Sequence, residues 1–244
     1  MATYTIALAG NPNTGKSTLF NSLTGMRQHT GNWAGKTVIS AEGRFTFNQT
    51  EFKMIDLPGT YSLYSNSADE EAARDYIIFE APDVTIVVLD ATSLERNLNL
   101  ALQVLEMTNR VVVCINLMDE AKRLGIRINL KKIEQQLGVP TVAISARNKT
   151  GIKELLTQVL KIASGELVPA PIQIRYSDDI EEKIAKLEPS VREMIGNRLP
   201  SRWVALRMLD DDKSLITAIT QWLERPQEIP DKQEVMTYGQ TACH

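Results

Sequence analysis

The segment Gly10-Asn11-Pro12-Asn13-Thr14-Gly15-Lys16-Ser17 has the residue types and spacing of a phosphate cradle, G-x-x-x-x-G-K-[ST]. Its two glycines let the main chain wrap an anion with no Cβ in the way. The loop amides, and the start of the helix that follows, aim N–H groups at a phosphate. Lys16 brings a charge to the outer phosphates, and the Ser17 hydroxyl is an oxygen ligand for Mg²⁺. Forty residues beyond Lys16 comes Asp56-Leu57-Pro58-Gly59, at the end of a strand-like run. A carboxylate there can hold Mg²⁺ through water, and the Gly59 amide can meet a terminal phosphate. Alone, D-x-P-G is a common strand-end turn; behind a phosphate loop at this distance it reads as functional.

Asn116-Leu117-Met118-Asp119 follows a second apolar run. An Asp carboxylate accepts two hydrogen bonds from guanine N1 and N2, a pattern adenine does not offer. The other reading of Asp119 is a helix N-cap. Ser145-Ala146-Arg147 closes a further run, where a main-chain amide could read guanine O6.

These loops need strands and helices to hold them. Residues 3–9, 84–89, 111–115 and 140–144 predict apolar strands, and 38–47 and 52–56 predict two more, joined near Asn48-Gln49-Thr50. Residues 26–37 show no periodicity and read as a loop. Helices are predicted from Lys16 to Gly25, over Ala68–Glu80, after a capping box Thr92-x-x-Glu95, and from about Gly151. Fully apolar strands alternating with helices point to an α/β fold, a mostly parallel sheet with helices on both faces. Near residue 165 the pattern changes. Beyond Pro169-Ala170-Pro171 only helical spacing remains: a short helix from Ile180 to Pro189, another through Trp203, and a third over Leu215–Leu223. Trp203 and Trp222 read as core, and Asp69-Glu70-Glu71 and Asp210-Asp211-Asp212 as helix-start charges.

Composition excludes several classes. The 244 residues suit one or two domains, and a net charge of −3 with 6% aromatics excludes a strongly basic or base-stacking nucleic-acid binder. Two cysteines build no disulfide framework. The longest apolar run, Val111–Ile115, is far short of the ~20 residues of a membrane span.

Taken in order, the four loop motifs resemble those of the Ras-like GTPase superfamily over residues 3 to about 163. The resemblance implies a Ras-like P-loop GTPase fold with a six-stranded, mostly parallel sheet, Mg²⁺–GTP binding and a switch cycle. It makes Thr37 the switch I threonine that closes on Mg²⁺ and the γ-phosphate. Two positions depart from it. Leu117 stands where the guanine motif N-K-x-D has Lys, and Thr60 follows Gly59 where Ras has the Gln that orients water. The first should spare guanine binding; the second implies slow hydrolysis unless another element supplies catalysis.

A narrower likeness lies in Gly31-Asn32-Trp33-Ala34-Gly35-Lys36-Thr37-Val38, which is similar to the G-N-W-x-G-x-T-V segment of the ferrous iron transport protein B family. Gly10–Asn13, Asp56–Leu63, Asp90–Leu98 and the Asn-x-Met-Asp guanine motif are similar to that family as well. This implies a GTP-binding G domain at 1–165 and a small all-α regulatory domain at 166–244, of the kind that inhibits nucleotide release. It implies catalytic roles for Asn13, Lys16, Thr37 and Gly59. Nucleotide contacts are implied for Asn11, Asn13, Thr14, Gly15, Lys16, Ser17, Thr18, Asn116, Met118, Asp119, Ser145 and Ala146. Mg²⁺ would be held by Ser17, Thr37 and, through water, Asp56. K⁺ would be held by Asn13 with the carbonyls of Gly31 and Trp33, stimulating hydrolysis where an arginine finger otherwise acts.

The cofactors expected by resemblance are GTP or GDP, Mg²⁺ and K⁺. The expected partners are a membrane domain of the same longer polypeptide, with small cytosolic regulators or further copies of the chain, and no nucleic acid. The chain then reads as a soluble fragment at the cytoplasmic face of a bacterial inner membrane. Two other readings stay open. One is a potassium-dependent GTPase of ribosome or tRNA maturation, against which the acidic Glu181-Glu182 and Asp210–Asp212 count. The other is a non-catalytic guanine-nucleotide sensor, disfavoured by Lys16, Ser17 and Thr37.

Overall fold

The computed structural model describes residues 2–25, 29–32, 39–64 and 67–224. Each apolar run becomes a strand: β1 (Thr3–Gly10), β4 (Thr50–Asp56), β5 (Val84–Asp90), β6 (Val111–Asn116) and β7 (Thr141–Ala143). With β2 (His29–Asn32) and β3 (Ile39–Phe47) they form one sheet in the order β2-β3-β4-β1-β5-β6-β7. From β4 to β7 neighbours run parallel; β2-β3 and β3-β4 are antiparallel. The β3–β4 turn is the pair Asn48 and Gln49, both at positive φ, 47° and 62°, as a twist-matched two-residue hairpin requires.

Strand alternation sorts the core. Ile6 and Leu8 of β1 pack with Leu19 and Phe20 of α1 (Lys16–Thr24) and with Leu155 and Val159 of α6 (Ile152–Ala163). Ala7 and Ala9 face the other way, toward Leu100, Ala101 and Val104 of α3 (Leu94–Met107). Both faces are covered, so the strands are apolar throughout. Because β1, β4, β5, β6 and β7 are parallel, the loops that leave their carboxyl ends gather at one rim, where such sheets bind ligands. The four chemistry-bearing loops all leave from that rim.

Several local expectations need correction. Residues 29–32 of the expected 26–37 loop form β2, an edge strand that joins the six expected ones. Its pairing rests on main-chain bonds to β3, which His-Thr-Gly-Asn does not advertise. The expected helix over 68–80 is α2 (Ala68–Asp75) followed by a π-helical turn, Tyr76–Glu80, that ends on Ala81 at φ 42°. Thr92 is not the cap of α3: its hydroxyl donates to Asp90 Oδ1, and Ser93 holds the N-cap position. Pro189 does not end its helix. That helix, α7 (Asp178–Ile195), continues because Val191 and Ile195 are buried on the same side as Ile184, while the proline sits exposed. Two helices lay in a stretch without assigned structure: α4 (Met118–Arg123) and α5 (Leu130–Leu137).

The carboxyl-terminal helices α7, α8 (Ser201–Leu209) and α9 (Lys213–Glu224) share the α3-side core. Trp203 is buried there, and Trp222 packs against Phe79 at 5.5 Å between ring centres. The connecting segment is strapped to the sheet domain. Ala170 N–H donates to Gly138 O and Ile172 N–H to Leu137 O. Gly138 has φ 71°, and a Cβ there would stand 2.0 Å from the Ala170 carbonyl oxygen, so only glycine fits. At the far end of the strap Arg202 grips Glu181 with both terminal nitrogens and also donates to Ile174 O. That guanidinium holds the Glu181 carboxyl down at about 2.

Candidate functional site

The loop after β1 turns on two left-handed residues, Asn13 at φ 66° and Gly15 at φ 79°. Gly15 is enforced by a neighbour, since a Cβ there would stand 2.3 Å from Asn116 Nδ2. Asn116 is buried at the end of β6, and both ends of its amide are used. Nδ2 donates to Thr14 O at 2.9 Å, and Oδ1 accepts from Ala146 N–H at 2.9 Å. One side chain therefore ties together the loops after β1, β6 and β7. It acts as a strut between them, a role its position in a motif does not disclose. Leu117, at φ 62°, reaches over Gly15 with its Cδ2. An aliphatic side chain thus covers the phosphate loop where the related motif has the stem of a lysine.

Lys16 is buried, and its Nζ bonds to the Asp56 carboxylate and to Leu57 O. Ser17 Oγ lies 3.3 Å from Asp56 Oδ2. The three residues predicted to work together are adjacent, two brought in at the start of α1 and one at the end of β4. A hydroxyl and a carboxylate facing each other are hard oxygen donors. They suit Mg²⁺, which is typically bound through one or two protein ligands and completes its shell with phosphate oxygens and water. Gly59 lies against Pro12: a Cβ on it would meet Pro12 Cα and N at 3.4 Å. Thr60 beside it is buried. Asn11 and Thr14 are also buried, whereas Asn13 and Thr18 are exposed at the rim.

Asp119 lies in the first turn of α4, whose N-cap position is Leu117 and not the aspartate, and it is exposed. A hydrogen bond from the Ser145 side chain lowers its carboxyl below the usual range, and Asn148 Nδ2 donates to its Oδ2 at 3.2 Å. Met118 N–H donates to Ile144 O, which pins the Asp119 turn beside the Ser145-Ala146 turn. Thr37 and Trp33 lie outside the described residues, and Gly31 is described only as part of β2.

Sequence reasoning missed the residues that connect this rim to the helical unit. Arg74 of α2 is buried between Asp75, at 2.8 Å, and Asp212 before α9, at 3.4 Å. Asp212 also caps α9 through Leu215 N–H. Ser214 Oγ donates to Glu71, and the Arg207 guanidinium stacks over Tyr64 at 4.9 Å. Ser62 Oγ donates to Glu70, and Leu63 N–H to Gln103 Oε1. The segment after Gly59 is thus held from both sides. The sequence carries no signal for the Arg74–Asp212 contact, because the two residues lie 138 positions apart.

Comparison with known proteins bears on both parts of the chain. The family model for "Ferrous iron transport protein B" matches residues 4–159, and that for "FeoB cytosolic helical domain" matches 176–238. The Fe(2+) transporter FeoB of Escherichia coli K12 is 38% identical over 219 residues, 87% of this chain and 27% of that protein. The Fe(2+) transporter FeoB of Methanocaldococcus jannaschii is 45% identical over 213 residues, 87% of this chain and 31% of that protein. The chain therefore spans about a quarter to a third of the length of these curated relatives. Among solved structures, the cytosolic domain of the T. maritima FeoB iron transporter in its apo form superposes with a TM-score of 0.82 at 35% identity, covering 92% of this chain and 88% of that one. The same T. maritima domain has been solved in GDP and GMPPNP forms.

Proposed function

The chain belongs to the ferrous iron transport protein B family, and on that premise we propose that it binds Mg²⁺–GTP, hydrolyses it slowly, and acts as the nucleotide switch of a ferrous iron transporter. The observation that carries this reading is the convergence of Lys16, Ser17 and Asp56, joined by Asn116 to the loops that would read the base. The strut sets the spacing between the phosphate loop and Asp119, so that one nucleotide can engage both. No described helix is long and apolar enough to cross a membrane. The membrane portion belongs to the rest of the longer polypeptide, with residues 1–165 as the G domain and 166–244 as its helical regulator at the cytoplasmic face.

Binding begins with an exchange of partners. Lys16 leaves the Asp56 carboxylate and Leu57 O for the β- and γ-phosphates. The amides of Asn13 to Ser17 wrap the phosphates, Asp119 takes guanine N1 and N2, and the Ala146 amide takes O6. Asp56 and Ser17, with Thr37, are the residues that would hold Mg²⁺, which supplies charge neutralisation between the phosphates when bound. The Gly59 amide meets the γ-phosphate. Thr60 cannot do what the Ras glutamine does, so hydrolysis depends on charge placed against the phosphates by other means. Asn13 suits K⁺ ligation there: it is exposed, in the left-handed turn of the phosphate loop, and its side-chain oxygen is a hard donor.

The deciding experiment is GTP hydrolysis by the purified chain with Mg²⁺, in KCl against NaCl at equal ionic strength. Rates should be higher in KCl by about tenfold or more. Asn13→Ala should abolish that difference while GDP affinity stays within about threefold. Equal rates in the two salts would remove K⁺ from the mechanism, and a full potassium response in the variant would remove Asn13 as its ligand.

The helical unit regulates release by holding α2 through Arg74–Asp212 and Glu71–Ser214. Asn is as good an N-cap as Asp, so Asp212→Asn keeps α9 capped but removes the charge facing Arg74. Losing ~1 kcal/mol of that contact should speed release of a fluorescent GDP analogue about fivefold. An unchanged off-rate would place control of release elsewhere.

A further inference from the structure

The Asn11 side chain has no hydrogen-bond partner among the described residues. It is 1% exposed, and neither Nδ2 nor Oδ1 is bonded or reached by solvent. Its main chain is engaged, since Thr14 Oγ1 donates to its carbonyl. The other buried amides nearby use both ends. Asn116 bridges Thr14 and Ala146, and Asn97 accepts from Asp90 N–H and donates to Ser93 O. Buried polar groups are paired almost without exception, and a small apolar residue would suit this pocket better. A carboxamide here implies a partner that another state of the protein delivers.

Strand alternation says where that partner comes from. Ala7 and Ala9 face the α2–α3 side of the sheet, and Asn11 continues that series one residue past β1. The same face holds Leu57 and Leu63, which bracket the segment between β4 and α2, and Ala91, which precedes α3. On the α3 side the polar groups are already satisfied among Asp90, Thr92, Ser93 and Asn97. On the other side, Gly59 packs against Pro12, the next residue to Asn11. The N–H groups of Gly59 and Thr60 make no hydrogen bond to a described residue. An amide and main-chain donors that have no partner among the described residues thus occur close together, Asn11 being next in sequence to the Pro12 that Gly59 packs against, and the Gly59 segment is the one proposed above to meet the γ-phosphate.

We propose that Asn11 is a positioning residue for GTP hydrolysis, its carboxamide docking the Gly59–Thr60 main chain when that segment closes on the γ-phosphate. The proposal rests on the nucleotide reading above. It gives the chain a main-chain anchor at the place where Ras uses the side chain after the glycine, and where Thr60 here is too short.

The test uses Asn11→Ala, with Asn11→Ser as a milder variant that puts a hydroxyl, both donor and acceptor, in place of the carboxamide. Four readouts separate docking from simple structure. The nucleotide-free variant should melt at a higher temperature than the parent chain, because an unpaired buried amide has been removed. GDP affinity should fall by much less than kcat does. The kcat for GTP should fall about tenfold or more with KM little changed, and Asn11→Ser should recover part of it. Amide hydrogen exchange over residues 57–63 should slow in the parent chain with GMPPNP relative to GDP, and the Asn11→Ala variant should lose that protection. Equal protection in variant and parent, or no protection in either, overturns the proposal even if the chain hydrolyses GTP. A lower melting temperature together with weaker GDP binding would make Asn11 a structural residue of the loop. Failure of the parent chain to bind GMPPNP at all would instead remove the nucleotide reading, and this inference with it.

Discussion

Lys16→Met weakens GTP binding to this chain by on the order of 10²–10³-fold, the largest single loss expected at the site. The substitution keeps the aliphatic stem and removes only the charge. In the structure that charge is buried and shared between the Asp56 carboxylate and Leu57 O. Two effects add. The phosphates lose a charge-assisted partner inside the loop, and the Asp56 carboxylate, no longer offset, stands close to an incoming polyphosphate. Removing one member of a desolvated charge pair costs ~2–5 kcal/mol, which sets the size of the loss. Titration of the variant with a fluorescent GTP analogue in Mg²⁺ buffer measures it. A dissociation constant within tenfold of the parent's would mean that the loop amides carry the phosphates without Lys16.

Asp119→Asn changes which base is bound rather than how tightly phosphates are held. The carboxylate presents two acceptors to guanine N1–H and N2–H₂. An amide presents one acceptor and one donor, which matches N1–H and the C2 carbonyl of xanthine. The Ser145 hydrogen bond keeps the Asp119 carboxyl below its usual range, so the two-acceptor form holds at neutral pH. A mismatched polar contact on a base edge that must be desolvated costs ~1–3 kcal/mol for each bond lost. The ratio of GTP to XTP affinity should therefore fall by on the order of 10²–10³-fold. Competition of the two nucleotides against a labelled GDP reads it directly. An unchanged preference for GTP would leave Asp119 only an acidic residue in the first turn of α4, whose N-cap position is held by Leu117. Asn148 Nδ2 donates to Asp119 Oδ2, so that oxygen would share or exchange this donor for a base.

The fold was largely legible because its strands are buried on both faces. Uninterrupted apolar runs such as Val111–Ile115 leave little ambiguity, and their alternation with helices dictates a parallel sheet. What failed was local and had a common cause. β2 exists because β3 offers main-chain partners, α7 passes Pro189 because Val191 and Ile195 are drawn to the core, and Thr92 abandons its cap for Asp90. In the first two cases a tertiary contact outweighed a short-range preference, and in the third one local hydrogen bond displaced another.

The site divides in the same way. The order and spacing of Gly10–Ser17, Asp56–Gly59, Asn116–Asp119 and Ser145–Ala146 sufficed to propose a guanine-nucleotide site, because each motif is confined to its own loop and its own residue types. No spacing could say that Asn116 spends its amide on two other loops, that Lys16 rests on Asp56, that Arg74 is buried against Asp212, or that Asn11 is left unpaired. Those facts join residues as many as 138 positions apart, and they depend on which strands are neighbours in the sheet and which helix faces it. Side-chain chemistry is local and is written residue by residue. Its partners are set by packing, which only the folded chain decides.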